Sequence, residues 1–138
     1  MVSRTAVGEN GSRPAGVTIS KNTRKIGQLA EGRAKTYLEQ QGMVWVCSNY
    51  VCPAGEIDLI MRDQEMLVFV EVRYRANLGY GESAETVIWR KQHRIIRAAW
   101  QYLLATHSVD RVNCRFDILG LGATAHANWI QNAFEVEY

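Results

Sequence analysis

Two carboxylates, Asp58 in "GEIDLI" and Glu71 in "LVFVEVRYR", stand inside apolar runs typical of the two strands of a hairpin. Side chains alternate along a strand, so both carboxylates share a face if the connecting loop has an even number of residues. They then lie within about 5–8 Å. Like charges this close repel unless Arg73 or a hard divalent cation sits between them. A cation there would activate water and stabilise a phosphodiester transition state. The spacing alone favours a salt-bridged Asp–Arg–Glu cluster over a metal site.

Two helical residues bear on this choice. Glu31 lies at the margin of the apolar stripe of the first predicted helix, where it could lean over the sheet edge as a third carboxylate. Taken alone, it is better explained as a solvated glutamate. Gln92 falls in the middle of the apolar face of the second predicted helix. Because a buried amide must find hydrogen-bond partners, the carboxylate cluster is its natural neighbour.

The basic residues of the second helix form two groups. A line of three arginines points almost opposite to Gln92: Arg90, Arg94 and Arg97. For this line the pattern favours a solvated face over nucleic-acid contact. Lys91 and His93 lie on the flanks, where they are better placed to reach over the rim of the sheet.

The chain divides into a tail and one α/β domain. Residues 1–25 are rich in Gly, Ser, Asn, Thr and basic residues, and a solvated tail is favoured over a nucleic-acid contact. From Ile26 the apolar residues recur with helical spacing until Gly42. Three β-rich runs, a helix from about Ala84 to about Thr106, and one or two strands follow. This order predicts a central mixed sheet flanked by helices over residues 26–138.

The hairpin strands also predict a dry face against a helix. Alternation assigns six apolar residues to it: Ile57, Leu59, Met61, Val68, Val70 and Val72. The opposite face then carries Glu56, Asp58, Glu71 and Arg73.

Composition bounds the class of protein. Of 138 residues, 47% are hydrophobic and 22% are charged, which excludes disorder of the whole chain. The net charge of +2 says little about polyanion binding, which needs local clustering. The three cysteines form no C-x-x-C pair, which argues against a disulfide framework or a zinc site. No apolar run approaches the roughly 20 residues of a membrane span, and the N-terminus lacks a signal-peptide core. We therefore predict a cytoplasmic protein that does not bind membranes.

Several motifs in order resemble a known family. They are "IGQLAEGRAKTYLEQQG", "NYVCPAGEIDLIMRD", "LVFVEVRYR", "KQHRIIRAAWQYL" and "CRFDILGL". Together they resemble the bacterial YraN family from about Ile26 to the C-terminus. That family is similar to archaeal Holliday-junction resolvases and belongs with the restriction-endonuclease-like PD-(D/E)XK nucleases. The resemblance implies a restriction-endonuclease-like mixed sheet flanked by helices, dependence on Mg²⁺ or Mn²⁺, and a nucleic-acid substrate.

The resemblance also implies roles for individual residues. Asp58 matches the first metal-binding aspartate, Glu71 the glutamate of the half-motif, and Glu31 the helix glutamate that completes the metal site. Gln92 occupies the place of a helix glutamine near the site. Arg73 stands where the motif has lysine, and arginine is effectively never deprotonated. Either the cation activates the water by itself, or Lys91 takes the lysine's place, or catalysis has been lost.

The resulting expectation is a metal-dependent endonuclease acting on branched or structured nucleic acid, with DNA favoured. The expected residues are Asp58, Glu71 and Arg73 for catalysis, Glu31, Asp58 and Glu71 for the metal, and Arg75, Lys91 and Gln92 for nucleic-acid contact. The alternatives are a non-catalytic nucleic-acid-binding domain of the same fold and a protein-interaction domain. Monomer and homodimer both stay open.

Overall fold

The computed structural model describes residues 21–75, 89–122 and 126–136. Predictions for residues 1–20 and for the start of the second helix at Ala84 lie outside these ranges. The described elements are α1 (Lys21–Gln40), β1 (Val44–Cys52), β2 (Gly55–Asp63), β3 (Met66–Arg75), α2 (Trp89–Ala105), β4 (Asn113–Gly122) and β5 (Ala127–Phe134). This order matches the predicted one, although α1 begins at Lys21 rather than Ile26. Neither described helix is long and apolar enough to cross a membrane.

The strands form one five-stranded sheet in the order β1-β2-β3-β4-β5. Every neighbouring pair is antiparallel except β3 and β4, which run parallel in unbroken register from Met66↔Asn113 to Arg75↔Gly122. A parallel connection needs a crossover, and α2 lies in it. The α/β class and the mixed sheet flanked by helices are therefore confirmed. They agree with a restriction-endonuclease-like architecture.

The loop of the β2–β3 hairpin has an even number of residues, which is the condition for Asp58 and Glu71 to lie opposite each other. Asp63 pairs with Met66, so the loop holds two residues, Gln64 and Glu65. Gln64 has a positive φ of 57°, as short hairpin turns often require. Because the loop is even, the register that pairs Leu59 with Val70 would place Asp58 across from Glu71.

The helices bury the two faces of the sheet separately. The α1 face is a cluster that includes Ala30, Ala34, Leu38, Leu59, Met61, Val68 and Val70. The α2 face is a cluster that includes Ile57, Ile60, Phe69, Ile95, Ala98, Ala99 and Tyr102. The predicted dry face is confirmed for Leu59, Met61, Val68, Val70 and the partly buried Val72, but it was wrong for Ile57. Ile57 packs on the opposite face because the alternation breaks next to Asp58.

Helix α1 ends as predicted at Gly42, which has a φ of 98°. The Met43 amide donates to the Leu38 carbonyl at 3.1 Å and the Gly42 amide donates to the Glu39 carbonyl at 3.0 Å. These two bonds form a Schellman motif, which favours glycine at the left-handed position. Leu38 and Met43 both enter the α1-side core, so the cap also fixes the angle at which β1 leaves the helix.

A fully buried aspartate ties β4 to β5. Asp117 accepts four hydrogen bonds, from Arg115 Nε at 2.9 Å, Arg115 Nη2 at 3.1 Å, Trp129 Nε1 at 3.0 Å and the Asn132 amide at 2.9 Å. Because every carboxylate oxygen has donors and a bidentate cation, this buried charge is satisfied within the fold. We regard Asp117 as a structural carboxylate, and it provides a reference for Asp58 below.

Candidate metal centre

Asp58 lies where the hairpin opens. Pairing between β2 and β3 runs from Asp63↔Met66 to Leu59↔Val70, and Asp58 is the next residue along β2. On the other side of β2, the pairing with β1 includes Ser48↔Leu59 and Tyr50↔Ile57. Between those pairs, Asn49 adopts a positive φ of 54°, a conformation that disturbs regular alternation. The strand therefore turns its side chains over at Asp58.

The Asp58 carboxylate, rather than a backbone carbonyl of β2, accepts a hydrogen bond from β3 at this point. Its Oδ2 atom accepts a hydrogen bond from the Val72 amide at 2.8 Å, which links the two separating strands. Among the described residues this is the one hydrogen bond that Asp58 accepts, whereas Asp117 accepts four. Asp58 thus retains carboxylate lone pairs for another partner.

Three carboxylates converge at this point: Glu31 from α1, and Glu56 and Asp58 from β2. One oxygen of each lies within 4.8 Å of the others. Glu31 and Asp58 are half-buried and Glu56 is exposed. The Glu31 Oε1 atom accepts a hydrogen bond from Asn49 Nδ2 at 2.9 Å, which holds α1 against β1. An all-oxygen donor set of this kind fits Mg²⁺ or Mn²⁺, which favour carboxylate and water ligands.

Electrostatics make this cluster unfavourable without a cation. Burial raises the pKa of Asp58 well above its usual value, and the charge of Glu71 raises it further. Glu31 and Glu56 add to this, while the Val72 hydrogen bond opposes it. Burial also raises the pKa of Glu31, Asn49 opposes the shift, and Glu56 reinforces it. A bound divalent cation would reverse these unfavourable terms.

Glu71 faces the other helix. Its side chain is only 6% exposed, and its Oε2 atom forms an ion pair with Lys91 Nζ at 2.7 Å. Glu71 therefore lies outside the three-carboxylate group, although it is close enough to raise the pKa of Asp58. The predicted reach of Lys91 over the rim of the sheet is confirmed. Its ammonium group supplies positive charge to the buried Glu71 carboxylate.

The remaining predicted residues lie around this point. Arg73 is half-buried on β3 opposite Gly120, and Gln92 is half-buried on α2. Arg75 pairs with Gly122 through its backbone, and its side chain lies outside the described part of the chain. The structure thus brings Glu31 and Asp58 together directly, with Glu71 and Lys91 as an adjoining ion pair.

Glu56 was not among the residues assigned from the sequence. Alternation had put it on the same face as Asp58, two positions away on β2, without giving it a role. That i, i+2 spacing was the available signal. The i, i+2 spacing does not show that Glu31, 25 residues earlier in the chain, lies beside Glu56 in the folded protein.

The comparisons with known proteins show the family. Residues 30–121 match the model of the uncharacterised protein family UPF0102. This chain belongs to that family. A UPF0102 protein of Coxiella burnetii (strain RSA 493 / Nine Mile phase I) is 47% identical over 116 residues, which cover 84% of this chain and 97% of the relative. A UPF0102 protein of Legionella pneumophila subsp. pneumophila is 39% identical over 114 residues, covering 82% and 97%. Membership of UPF0102 is consistent with the YraN resemblance.

The match to the UPF0102 model therefore includes all of α2, the second half of α1 with Glu31, and the strands that carry Glu56, Asp58 and Glu71. A relative from Psychromonas ingrahamii, 46% identical over 110 residues, covers 79% of this chain. The family's description names no activity, so chemistry has to be argued from the site itself.

The Lys91–Glu71 pair gives a first testable prediction. Lys91→Met should lower the free energy of unfolding by about 1–3 kcal/mol, because it leaves a buried carboxylate without its cation. The lysine is itself 44% exposed, so the upper range for fully buried pairs does not apply. Adding Glu71→Gln to Lys91→Met should recover most of the loss. Urea unfolding at pH 7 in chelator measures both changes.

Lys35→Met is the matched control, since Lys35 pairs with Glu39 at 3.2 Å on the surface of α1. It should change stability by less than about 1 kcal/mol. If Lys91→Met is as stable as the parent, or if Glu71→Gln fails to rescue it, then Lys91 does not neutralise Glu71 in the folded protein.

Proposed function

We propose that this UPF0102 protein is a Mg²⁺- or Mn²⁺-dependent endonuclease that hydrolyses phosphodiester bonds in branched or structured nucleic acid, with DNA favoured. The observation that carries this is Asp58: a desolvated carboxylate with one hydrogen bond, set among other carboxylates at the opening of a hairpin. Strongly perturbed ionisable groups of this kind are typical of functional sites. We place the protein in the cytoplasm, where its three cysteines would stay reduced.

The residues divide the work as follows. Glu31 and Asp58 would hold the cation, with Glu56 or Glu71 as a further ligand. Bound there, the cation would activate water and neutralise charge on the scissile phosphate. Glu71 is held in position by Lys91. Arg73 would stabilise negative charge on the phosphate, since a guanidinium is well suited to phosphate oxygens and cannot serve as a base. Arg75, Gln92 and the half-exposed Lys91 would contact the nucleic acid beside the site.

The alternative function is a non-catalytic nucleic-acid-binding domain of the same fold. The Lys91–Glu71 ion pair favours it, because a carboxylate that already has a cation partner is a poorer metal ligand. In that case the carboxylates remain as an ion cluster, and nucleic acid binds without being cut.

A cleavage panel separates the two functions. Branched, duplex and single-stranded DNA and RNA are incubated with the protein in Mg²⁺, Mn²⁺ or chelator, and Mn²⁺ affinity is measured by calorimetry in parallel. The nuclease proposal expects cleavage of branched substrates in the presence of metal and none in chelator. Binding of those substrates with no cleavage in either metal would establish the alternative.

A further inference from the structure

The outer face of α2 is neither apolar core nor a simple charged surface. Three large apolar side chains that share one side of the helix are exposed along it: Trp89 at 68%, Trp100 at 53% and Leu104 at 51%. The three arginines predicted to face solvent are also exposed there: Arg90, Arg94 and Arg97. We call this set the α2 outer face. A solvated helix surface has no need of two exposed indoles, which normally bury or find a partner.

The charge of the α2 outer face is of one sign. Helix α2 contains no acidic residue, and Lys91 is directed to Glu71 on the sheet side. Within the described ranges, no salt bridge joins Arg90, Arg94 or Arg97 to a carboxylate. These guanidinium groups therefore leave a positive strip that complements a polyanion.

One indole of the strip is held in place. The rings of Trp89 and His93 lie 3.9 Å apart between centroids, tilted by 42°. The contact supports the Trp89 ring from one turn further along the helix while most of its surface remains exposed. An aromatic ring that is fixed before binding loses little entropy when a flat partner stacks on it.

The α2 outer face begins in the helical turn whose sheet side carries Lys91. Lys91, in the same helical turn as Trp89, reaches Glu71 beside Asp58. From Trp89 the helix carries the strip away from the site, and Trp100 lies about 16 Å further along the axis at 1.5 Å per residue. A strand that left the carboxylate group over the first turn of α2 and followed its outer face would meet Trp89, then the three arginines, and then Trp100.

We propose that the α2 outer face binds single-stranded nucleic acid, with bases stacking on Trp89 and Trp100 and phosphates contacting Arg90, Arg94 and Arg97. Aromatic rings interleaved with cations along a groove or strip suit single strands, whose bases are free to stack. A membrane-binding helix instead separates its apolar and basic residues onto different faces. The inference deepens the proposed function by naming where an unpaired arm of the substrate lies, and it rests on that function only for the strand's path.

Fluorescence anisotropy in chelator tests the stacking without any cleavage. The probes are labelled oligothymidylate and oligouridylate of about twelve nucleotides, within the site sizes of single-strand binders. Loss of stacking weakens binding by about 1–3 kcal/mol per base, so Trp89→Ala/Trp100→Ala should lower affinity at least tenfold, or about 1.4 kcal/mol. Trp89→Phe/Trp100→Phe keeps aromatic faces and should retain most of the affinity. Trp45→Ala, which removes an exposed indole from β1, is the matched control and should bind like the parent.

The salt dependence tests the arginines. Arg90→Gln/Arg94→Gln/Arg97→Gln should reduce the slope of log K against log salt by about 2, since each phosphate contact with a single strand contributes about 0.7. Arg62→Gln, an exposed arginine on β2, should leave the slope unchanged. Preference for oligothymidylate or oligouridylate then assigns the strip to DNA or RNA.

The proposal is overturned if the parent binds neither probe, if the double alanine variant binds like the parent, or if Trp45→Ala loses as much affinity. It is also overturned if the tryptophan variants lose only binding to phosphatidylserine vesicles or only self-association. The outcome is separable from the proposed function. If binding depends on the tryptophans but no substrate is cleaved, the nuclease proposal is rejected and the single-strand-binding surface is retained. If cleavage depends on metal but binding does not depend on the tryptophans, the surface is rejected and the nuclease proposal is retained.

Discussion

Asp58→Asn is expected to abolish metal-dependent cleavage while leaving the metal-free protein at least as stable as the parent. Asparagine keeps an oxygen that can accept the Val72 amide hydrogen bond, so the link across the opened hairpin is retained. It removes a desolvated charge from a group that includes Glu31, Glu56 and Glu71. Without that charge the cation is held poorly, and since a metal contributes several kcal/mol to the transition state, cleavage should fall at least about 100-fold.

Asp63→Asn is the matched control for Asp58→Asn. Asp63 lies on the same strand at the closed end of the hairpin, where it pairs with Arg115 at 3.1 Å. This change should preserve Mn²⁺ affinity and cleavage and affect stability only slightly. Calorimetric titration with Mn²⁺ and urea unfolding in chelator give the two readouts. Strong destabilisation of the metal-free protein by Asp58→Asn would show that the carboxylate is a structural partner, and the metal proposal would lose its main support.

The pH dependence of stability supplies an independent check on Asp58. Its pKa is raised in the folded state, chiefly by burial and then by Glu71. Below the unfolded pKa of about 3.9 both states are protonated, and the favourable contribution of the neutral carboxyl is fully present. As pH rises from there through the folded pKa, the unfolded state releases its proton first, so the free energy of unfolding declines. In chelator, the decline should be smaller in Asp58→Asn than in the parent, with Glu31 contributing the remainder. An identical pH profile in both proteins would contradict the raised pKa.

The periodic part of the sequence predicted most of this fold. The order of helices and strands, the glycine that ends α1 and the apolar face of Leu59, Met61, Val68 and Val70 all follow from local spacing and residue type. The error at Ile57 shows the limit of that reasoning. Strict alternation assumes that each strand keeps its pairing, but Asp58 leaves the β2–β3 ladder to accept the Val72 amide. No local pattern encodes that long-range bond.

The sequence predicted some residues of the candidate site and missed others. The charges of Asp58 and Glu71 stood out because they interrupt apolar strands. The flank position of Lys91 predicted its reach over the rim of the sheet but not its pairing with Glu71. Asp117 also interrupts an apolar strand, in "CRFDILGL", and Arg115 lies two positions earlier on the same face. Alternation alone did not identify it as a buried carboxylate. What distinguishes Asp117 from Asp58 is the number of donors around each carboxylate. Two of the four donors to Asp117 come from β5 and the one donor to Asp58 comes from β3, so these contacts become visible only in the folded chain.

Arg73 provides the second prediction with a large effect, because the sequence departs there from the nuclease half-motif. Arg73→Ala should lower cleavage by about 100-fold or more, as expected when a group that stabilises transition-state charge is lost. Arg73→Lys keeps the positive charge but not the planar fork, so it should preserve fold and Mn²⁺ affinity and retain cleavage within about tenfold, or raise it. Arg62→Ala, on the exposed part of β2, should cleave like the parent.

The ion pair of Lys91 with Glu71 limits the roles that the Arg73 variants can test. Lys91 already pairs with Glu71, so Arg73 is not required to hold that carboxylate, and the loss of its positive charge at the phosphate should appear in the cleavage rate. Single-turnover rates measured with saturating Mn²⁺ separate the two effects. If Arg73→Ala cleaves as fast as the parent, Arg73 has no part in the chemistry. The parent and Arg73→Lys could both bind branched DNA and yet cut nothing in either metal. In that case the site has kept its fold and lost catalysis, and the protein is the non-catalytic nucleic-acid-binding domain.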